Sequence, residues 1–170
     1  MEQWVTEIRG RLTAEFAQRP AVCVMATVDL NGRPTARCMI CCEIDHTGHL
    51  LFVSDRRTGK DDHLRACPDT EICFWLSTTQ TQVRVRGVAT VVDAEADTFM
   101  REKWWDQLPR ENRDIFTSAI NHEGQIPPMP QTFELIVVDA SEVEVQELNT
   151  RPHKKQLWKD TGGRWESSVV

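Results

Sequence analysis

The chain has 170 residues, 27% of them charged and 40% hydrophobic, with a formal net charge of -6; that length supports one domain over residues 1–170 built on one core. With acidic residues in excess and no block of like charges, the sequence offers no basic face for nucleic acid. No apolar run approaches the roughly 18 residues of a membrane span, and Met1-Glu2-Gln3-Trp4 lacks the basic-then-apolar order of a signal peptide, so a cytoplasmic location without a membrane partner is expected.

Residues 4–18 put Val5, Ile8, Leu12 and Phe16 near helical spacing ahead of Pro20, which predicts an amphipathic helix. Residues 21–28 read as a strand. The turn 29–32 ends in Asn31-Gly32, the strongest hairpin signal here, so residues 33–44 are expected to return as the partner strand. A second turn at 45–48 leads to a strand at 49–54, whose Leu51-Phe52-Val53 run suggests burial on both faces. Residues 58–66 change to a helical period, with Thr58 as a cap and Leu64 turned inward before Pro68. Strands follow at 71–76 and 81–93 around a polar turn. A helical insertion over about 94–121 is expected to be anchored by Phe99, Trp104, Trp105, Ile115 and Phe116. The proline-dense segment 122–131 reads as an ordered loop or lid, and strands are expected again at 132–138, 142–148, 155–159 and 164–167.

Short antiparallel strands joined by tight turns, with helices set to the side, predict an α+β fold built on a β-barrel. A Rossmann fold does not fit, because no G-x-G-x-x-G follows a strand.

Four anion-competent residues lie close together: Arg37, Ser54, Thr58 and Lys60. Hydroxyls and cations gathered at the start of a helix can cradle a phosphate, although the same residues also suit an ordinary solvated cap. Gln82, Arg84 and Arg86 alternate with Val83, Val85 and Gly87, which puts three polar side chains on one strand face. Glutamine carries both donor and acceptor, the combination that reads the edge of a flavin or nucleobase. Arg151-Pro152-His153-Lys154-Lys155 gathers an anion-binding set, or a basic surface loop. Cys38 and Cys41 form a C-x-x-C, but a strand would aim them at opposite faces; the six cysteines are read as reduced thiols, and no metal site is expected. His46 and His49 flank a turn and read as surface residues.

From "AVCVMATVDLNGRPTAR" through "LLFVSDRRTGK" to "TQVRVRG", with "TRPHKK" in the tail, the chain resembles the pyridoxamine 5'-phosphate oxidase family, in particular its smaller FMN-binding relatives. The order and spacing of these segments carry the resemblance. It implies an FMN-binding split β-barrel, mainly antiparallel, with peripheral helices. It further implies an FMN-dependent oxidoreductase acting on a small molecule, as a homodimer with two flavin sites between subunits. Arg37 and Lys60 would hold the FMN phosphate with Ser54 and Thr58, while Cys38, Met39, Ile40, Cys42 and Val53 would supply backbone contacts. Gln82 would reach the ring system from the other subunit, and Arg151 and His153 would contact the substrate.

Cys42 stands where the family has a lysine for the substrate phosphate, Gly59 where it has an arginine beside the flavin phosphate, and Lys155 where the tail has a second arginine. Trp104-Trp105 occupies the neighbourhood of the residues that grip pyridoxal phosphate, so pyridoxine 5'-phosphate is not the expected substrate. No residue is assigned as catalytic. A non-catalytic flavin-storage or sensing protein is the alternative reading. A third is a flavin-independent dimeric binder of haem or another ligand using His63, His122 or His153.

Overall fold

Residues 2–17, 19–117 and 128–169 are described in the computed structural model. Their elements run in the order α1 (Gln3–Phe16), β1 (Ala21–Val28), β2 (Pro34–Ile44), β3 (His49–Asp55), a 3-10 turn (Arg56–Thr58), α2 (Lys60–Ala66), β4 (Asp69–Leu76), β5 (Thr81–Val92), α3 (Thr98–Gln107), α4 (Arg110–Arg113), β6 (Phe133–Glu147), β7 (Lys154–Asp160) and β8 (Trp165–Val169). Apolar side chains alternate along most strands, so each buries one face and leaves the other outside. In β3, by contrast, Leu51 and Phe52 are both buried and Val53 is half-buried against a second cluster, so most of the expected Leu51-Phe52-Val53 run is covered on both faces.

The sheet order is β3-β2-β1-β4-β5-β6-β7-β8, and an additional β3–β6 pairing closes the first six strands into an antiparallel barrel. This is the β-barrel expected from the strand pattern, in the split form that the family resemblance implies. Strands β7 and β8 continue the sheet beyond the closure.

The two strands expected at 132–138 and 142–148 are one, Phe133–Glu147. A bulge makes this possible: Gly87 pairs with Ala140 and Arg86 with Glu142, so Ser141 is left over and the strand bends without breaking. Residue 87 must be glycine, because a Cβ there would collide with the Asp139 carbonyl oxygen.

The barrel interior holds Met25, Phe52, Phe74, Val85 and Ile136, and α1 packs Trp4, Val5, Ile8 and Leu12 onto the same core. Trp4 meets Trp165 of β8 at 5.1 Å between ring centroids. Arg11 bridges to Glu147 at 2.9 Å, while the Glu15 carboxylate accepts from the Ser77 hydroxyl at 2.6 Å and from the Ser77 and Thr78 amides.

A second cluster, Val92, Trp105, Phe116, Phe133 and Leu135, lies on the other face of β6. Trp105 and Phe116 anchor the helical insertion as expected, and Trp104 packs partly buried against the cluster. Phe99 and Ile115 do not, being 79% and 68% exposed. Asp97 accepts from the Met100 amide and starts α3 at Thr98, so the buried stripe is Arg101 and Trp105, and Phe99 falls on the opposite side. The second helix stops at Arg113, which leaves Ile115 outside it. The slot that an apolar residue would fill is taken by buried Arg101, whose Nε donates to the Phe133 carbonyl at 2.8 Å.

No helix among the described residues is long and apolar enough to cross a membrane. Of the lid segment, residues 122–127 lie outside the described residues, while the Pro130 carbonyl accepts from the Phe133 amide at 3.1 Å.

Candidate functional site

Arg37 sits on β2 opposite the fully buried Met25 and so shares the barrel-facing side of the sheet. Its guanidinium is held in place by donation to the Met25 carbonyl at 3.0 Å and to Thr35 Oγ1 at 2.7 Å. The end of β3 turns through the 3-10 segment and Gly59 into α2, which brings in Lys60, only 8% exposed. Lys60 Nζ donates to Thr58 Oγ1, and the Thr58 hydroxyl donates to the Asp55 carbonyl at 2.7 Å.

Thr58 therefore does not cap α2; Gly59 occupies that position with φ 75°. A Cβ on Gly59 would meet open space, so backbone conformation and not crowding favours glycine there.

Among the described residues neither Arg37 nor Lys60 enters an ion pair. Burial lowers the pKa of both; attraction to Asp61 opposes this in each case, and the charge of Arg37 lowers that of Lys60 further. Two partly desolvated cations within range of each other's charge, with no carboxylate bonded to either among the described residues, could hold a polyanion.

Ser54 and Asp61 lie behind them. Ser54 is 2% exposed and Asp61 fully buried, and the serine Oγ is 2.6 and 2.7 Å from the two carboxylate oxygens. The Ser54 proton is thus given to Asp61, whose carboxyl pKa is raised by burial against the pull of that hydrogen bond. By sequence, Asp61 is one more polar residue of a short helix. Its position three residues ahead of Leu64 was the available signal, since residues so spaced share a helix face and Leu64 is in the core.

The remaining candidates gather elsewhere. Gln82 pairs with Trp75 and Gln146, and Gln146 pairs with Lys155, which makes one row across β4, β5, β6 and β7 on the outer face. Arg84 and Arg86 share that face, but both are engaged: Arg84 with Glu71 at 2.6 Å, and Arg86 with Glu71 at 2.6 Å and Glu142 at 2.8 Å. Lys155 is likewise bound to Glu144 at 2.6 Å. Arg151 and His153 are exposed between β6 and β7. Gln82 is three strand spacings across the sheet from Arg37, about 14 Å, and three residues, about 10 Å, further along the strand, on the opposite face.

Cys38 and Ile40 point outward beside Val24 and Val22, while Cys41 is buried, so Cys38 and Cys41 do face opposite ways. Met39 points inward against the barrel core. The Cys42 thiol is pushed up by burial, with the Val53 amide hydrogen-bonding toward it, and the Val53 side chain packs against the second cluster. All six cysteines are free. Of the histidines, His63 Nδ1 lies 3.4 Å from Thr27 Oγ1, His46 is exposed, His49 is held by Asp45 at 3.2 Å, and His122 falls outside the described residues.

The family model described as pyridoxamine 5'-phosphate oxidase matches residues 12–147. A pyridoxine/pyridoxamine 5'-phosphate oxidase of Myxococcus xanthus (strain DK1622) is 26% identical over 99% of this chain and 89% of its own length. The oxidase of Rhodopseudomonas palustris (strain BisA53) is 40% identical over 59% of this chain and 52% of its own length. Among solved structures, a pyridoxamine 5'-phosphate oxidase-related, FMN-binding protein from Nostoc punctiforme PCC 73102 is similar with a TM-score of 0.84 and 25% identity, covering 100% of this chain and 98% of that one. PhzG from Burkholderia lata 383, solved with tetrahydrophenazine-1-carboxylic acid, shares the fold with a TM-score of 0.80 at 19% identity, over 99% and 92% of the two chains.

Proposed function

Because the chain belongs to the pyridoxamine 5'-phosphate oxidase family, we propose that it is a cytoplasmic homodimer that binds FMN and acts as an oxidoreductase on a small organic substrate. The observation that carries this reading is the pair Arg37 and Lys60, buried or half-buried, mutually repelling and without an ion-pair partner among the described residues. A terminal phosphate supplies the missing charge. The guanidinium fork of Arg37 and the ammonium of Lys60 are the donors that suit it, and the Thr58 hydroxyl, its proton given to the Asp55 carbonyl, holds that ammonium in place. Bound FMN would accept a hydride from the substrate, and the protein's part is to hold the flavin and exclude water.

The dimer is supported by the division of the candidates between two faces. Gln82 and Lys155 are on the outer face and Arg37 is on the barrel side, so one chain does not bring them onto a single flavin, whereas a second copy would. The outer face also exposes Val22, Val24, Ile40 and Trp75, an apolar patch that another copy would cover. Arg151 and His153, exposed beside that face, are the groups proposed to meet the substrate, with Lys155 near the flavin once released from Glu144. The free cysteines support a reducing compartment.

Cys42 offers no charge where the family resemblance implies a lysine, so pyridoxine 5'-phosphate is expected to be a poor substrate. The same residue favours the second reading, a protein that stores or senses flavin without turnover. The test is the visible spectrum of purified protein reconstituted with FMN or riboflavin, followed by light scattering at micromolar concentration and a turnover assay. FMN retained in preference to riboflavin, by a dimer, is the expected result. Equal retention of riboflavin removes the phosphate clamp, and a monomer removes the shared site. A yellow protein that no reductant turns over leaves the storage reading in its stead.

A further inference from the structure

We infer that Asp61 is a built-in rival of the flavin phosphate for Arg37 and Lys60, and that it surrenders its negative charge by taking up one proton from solvent when the phosphate arrives. The inference rests on the FMN reading above and deepens it, by making flavin affinity depend on pH through a residue that never touches the ring.

The geometry is that of a carboxylate with nowhere else to go. Asp61 has no exposed surface, and Ser54 of β3 fixes it through both oxygens at 2.6 and 2.7 Å. Four elements surround it. From α2 come Lys60, Asp62 and Arg65; from β2 comes Arg37; from β3, Ser54; from β6, Glu134. Arg65 is already bound to Glu134 at 2.8 Å. The charge of Arg65 also lowers the pKa of Asp61, as that of Lys60 does, but its guanidinium is committed to Glu134; Lys60 and Arg37, both drawn to Asp61, are the two cations that a phosphate would use.

A phosphate ester has its second ionisation near pH 6, so around neutrality it carries close to two negative charges. With Asp61 ionised, three negative charges would face two cations, one of them, Lys60, only 8% exposed. One of the three must be neutralised, and the carboxyl is the group that burial has already moved toward its neutral form. Protonation also changes what Ser54 can do. A serine hydroxyl has one proton to give and two lone pairs. While Asp61 is ionised that proton is committed to it, but a protonated Asp61 donates to Ser54 Oγ and releases the serine proton toward the phosphate side. The serine expected to assist the phosphate thus becomes a donor only when its aspartate is neutral.

The sign of the pH dependence follows. Asp61 has a raised pKa in the folded protein, and bound phosphate raises it further, so binding takes up a proton wherever free Asp61 is ionised. Flavin affinity then falls as pH rises through the interval between the Asp61 pKa of the free protein, already above the ordinary carboxylate range, and its still higher value with phosphate bound.

The experiment is fluorescence titration of the full apoprotein with FMN and with riboflavin at about pH 6.5 and about pH 8, above the phosphate's own ionisation, for wild type and Asp61→Asn. Calorimetry in two buffers of different ionisation heat counts protons. Asparagine keeps an oxygen to accept from Ser54 and has no charge. The expected result is uptake of up to one proton by wild type with FMN and none with riboflavin. Asp61→Asn should bind FMN about tenfold tighter at the higher pH, without proton uptake and with riboflavin affinity unchanged. His63, in the same helix, is present in both proteins, so the difference between them belongs to Asp61. An equal or weaker FMN affinity in Asp61→Asn, or the same proton count with both flavins, overturns the inference. Should the variant not fold, the wild-type counts with the two flavins decide alone. Wild-type protein that binds neither flavin overturns the functional reading itself, an outcome distinct from FMN binding without proton uptake.

Discussion

Two charged regions of this molecule look alike in sequence and behave oppositely in the fold. On the outer face of β4 to β7, Arg84, Arg86, Lys155 and Lys159 interleave with Glu71, Glu142 and Glu144 at 2.6 to 3.5 Å. Hydrogen bonds to Glu71 raise the pKa of both arginines. Where β2 meets the start of α2, Arg37 and Lys60 bond, among the described residues, only to neutral oxygens, and burial drives their pKa values down. Net charge does not tell a ligand site from a scaffold; the direction in which the fold perturbs each cation does.

Removing the strongest member of the unpaired region gives the largest contrast. A hydrogen bond from a charged group contributes about 1.5 to 3 kcal/mol, so Arg37→Ala is expected to weaken FMN binding by roughly ten- to a hundredfold in fluorescence titration. Riboflavin, without a phosphate, serves as the control, and a parallel loss for it would reassign Arg37 to holding the barrel. Lys60→Ala should cost less, about several-fold to tenfold, because an ammonium is a point charge where guanidinium is a fork.

Glu71→Gln probes the paired region. It leaves Arg84 and Arg86 short of a partner, yet the network is partly exposed, so a loss of about 0.5 to 1 kcal/mol in thermal unfolding is expected, shrinking in high salt, with no effect on flavin affinity. A flavin effect as large as that of Arg37→Ala would erase the distinction between the regions.

The smallest effect concerns the apoprotein. Because Asp61 has a raised pKa, its stabilising contribution is complete below its unfolded-state value and is lost as pH rises through the folded-state one. Asp61→Asn should therefore melt slightly above wild type at neutral pH, and the gain should vanish in acid.

The sequence made the barrel readable because strand alternation and hairpin turns are local: Asn31-Gly32 and the Gln82 to Gly87 alternation each declare their role within a few residues. The unity of β6 was hidden, since it depends on the bulge opposite Gly87 and on the Asp139 carbonyl, far away in sequence. Phe99 and Ile115 were misjudged because hydrophobicity without a helix start does not fix a face, and Asp97 supplied that start. At the site, Arg37 and Lys60 were legible by type, but Thr58 was not a cap and Asp61 went unseen. A carboxylate reads as solvated until its neighbours close over it, and those neighbours come from β2, β3 and β6.

Barrel closure also separates early from late events in folding. The β1–β2, β2–β3, β4–β5, β6–β7 and β7–β8 pairs join neighbours in the chain, whereas β3–β6 joins residues 49–55 to 133–139, with β4, β5 and the helical insertion between them. Loop-closure entropy makes that contact the costliest to form first. Weakening it, for example with Ile136→Val, should then speed unfolding in stopped-flow chevrons and leave the refolding rate nearly unchanged, so that the closing seam sets how long the barrel lasts and not how quickly it is made.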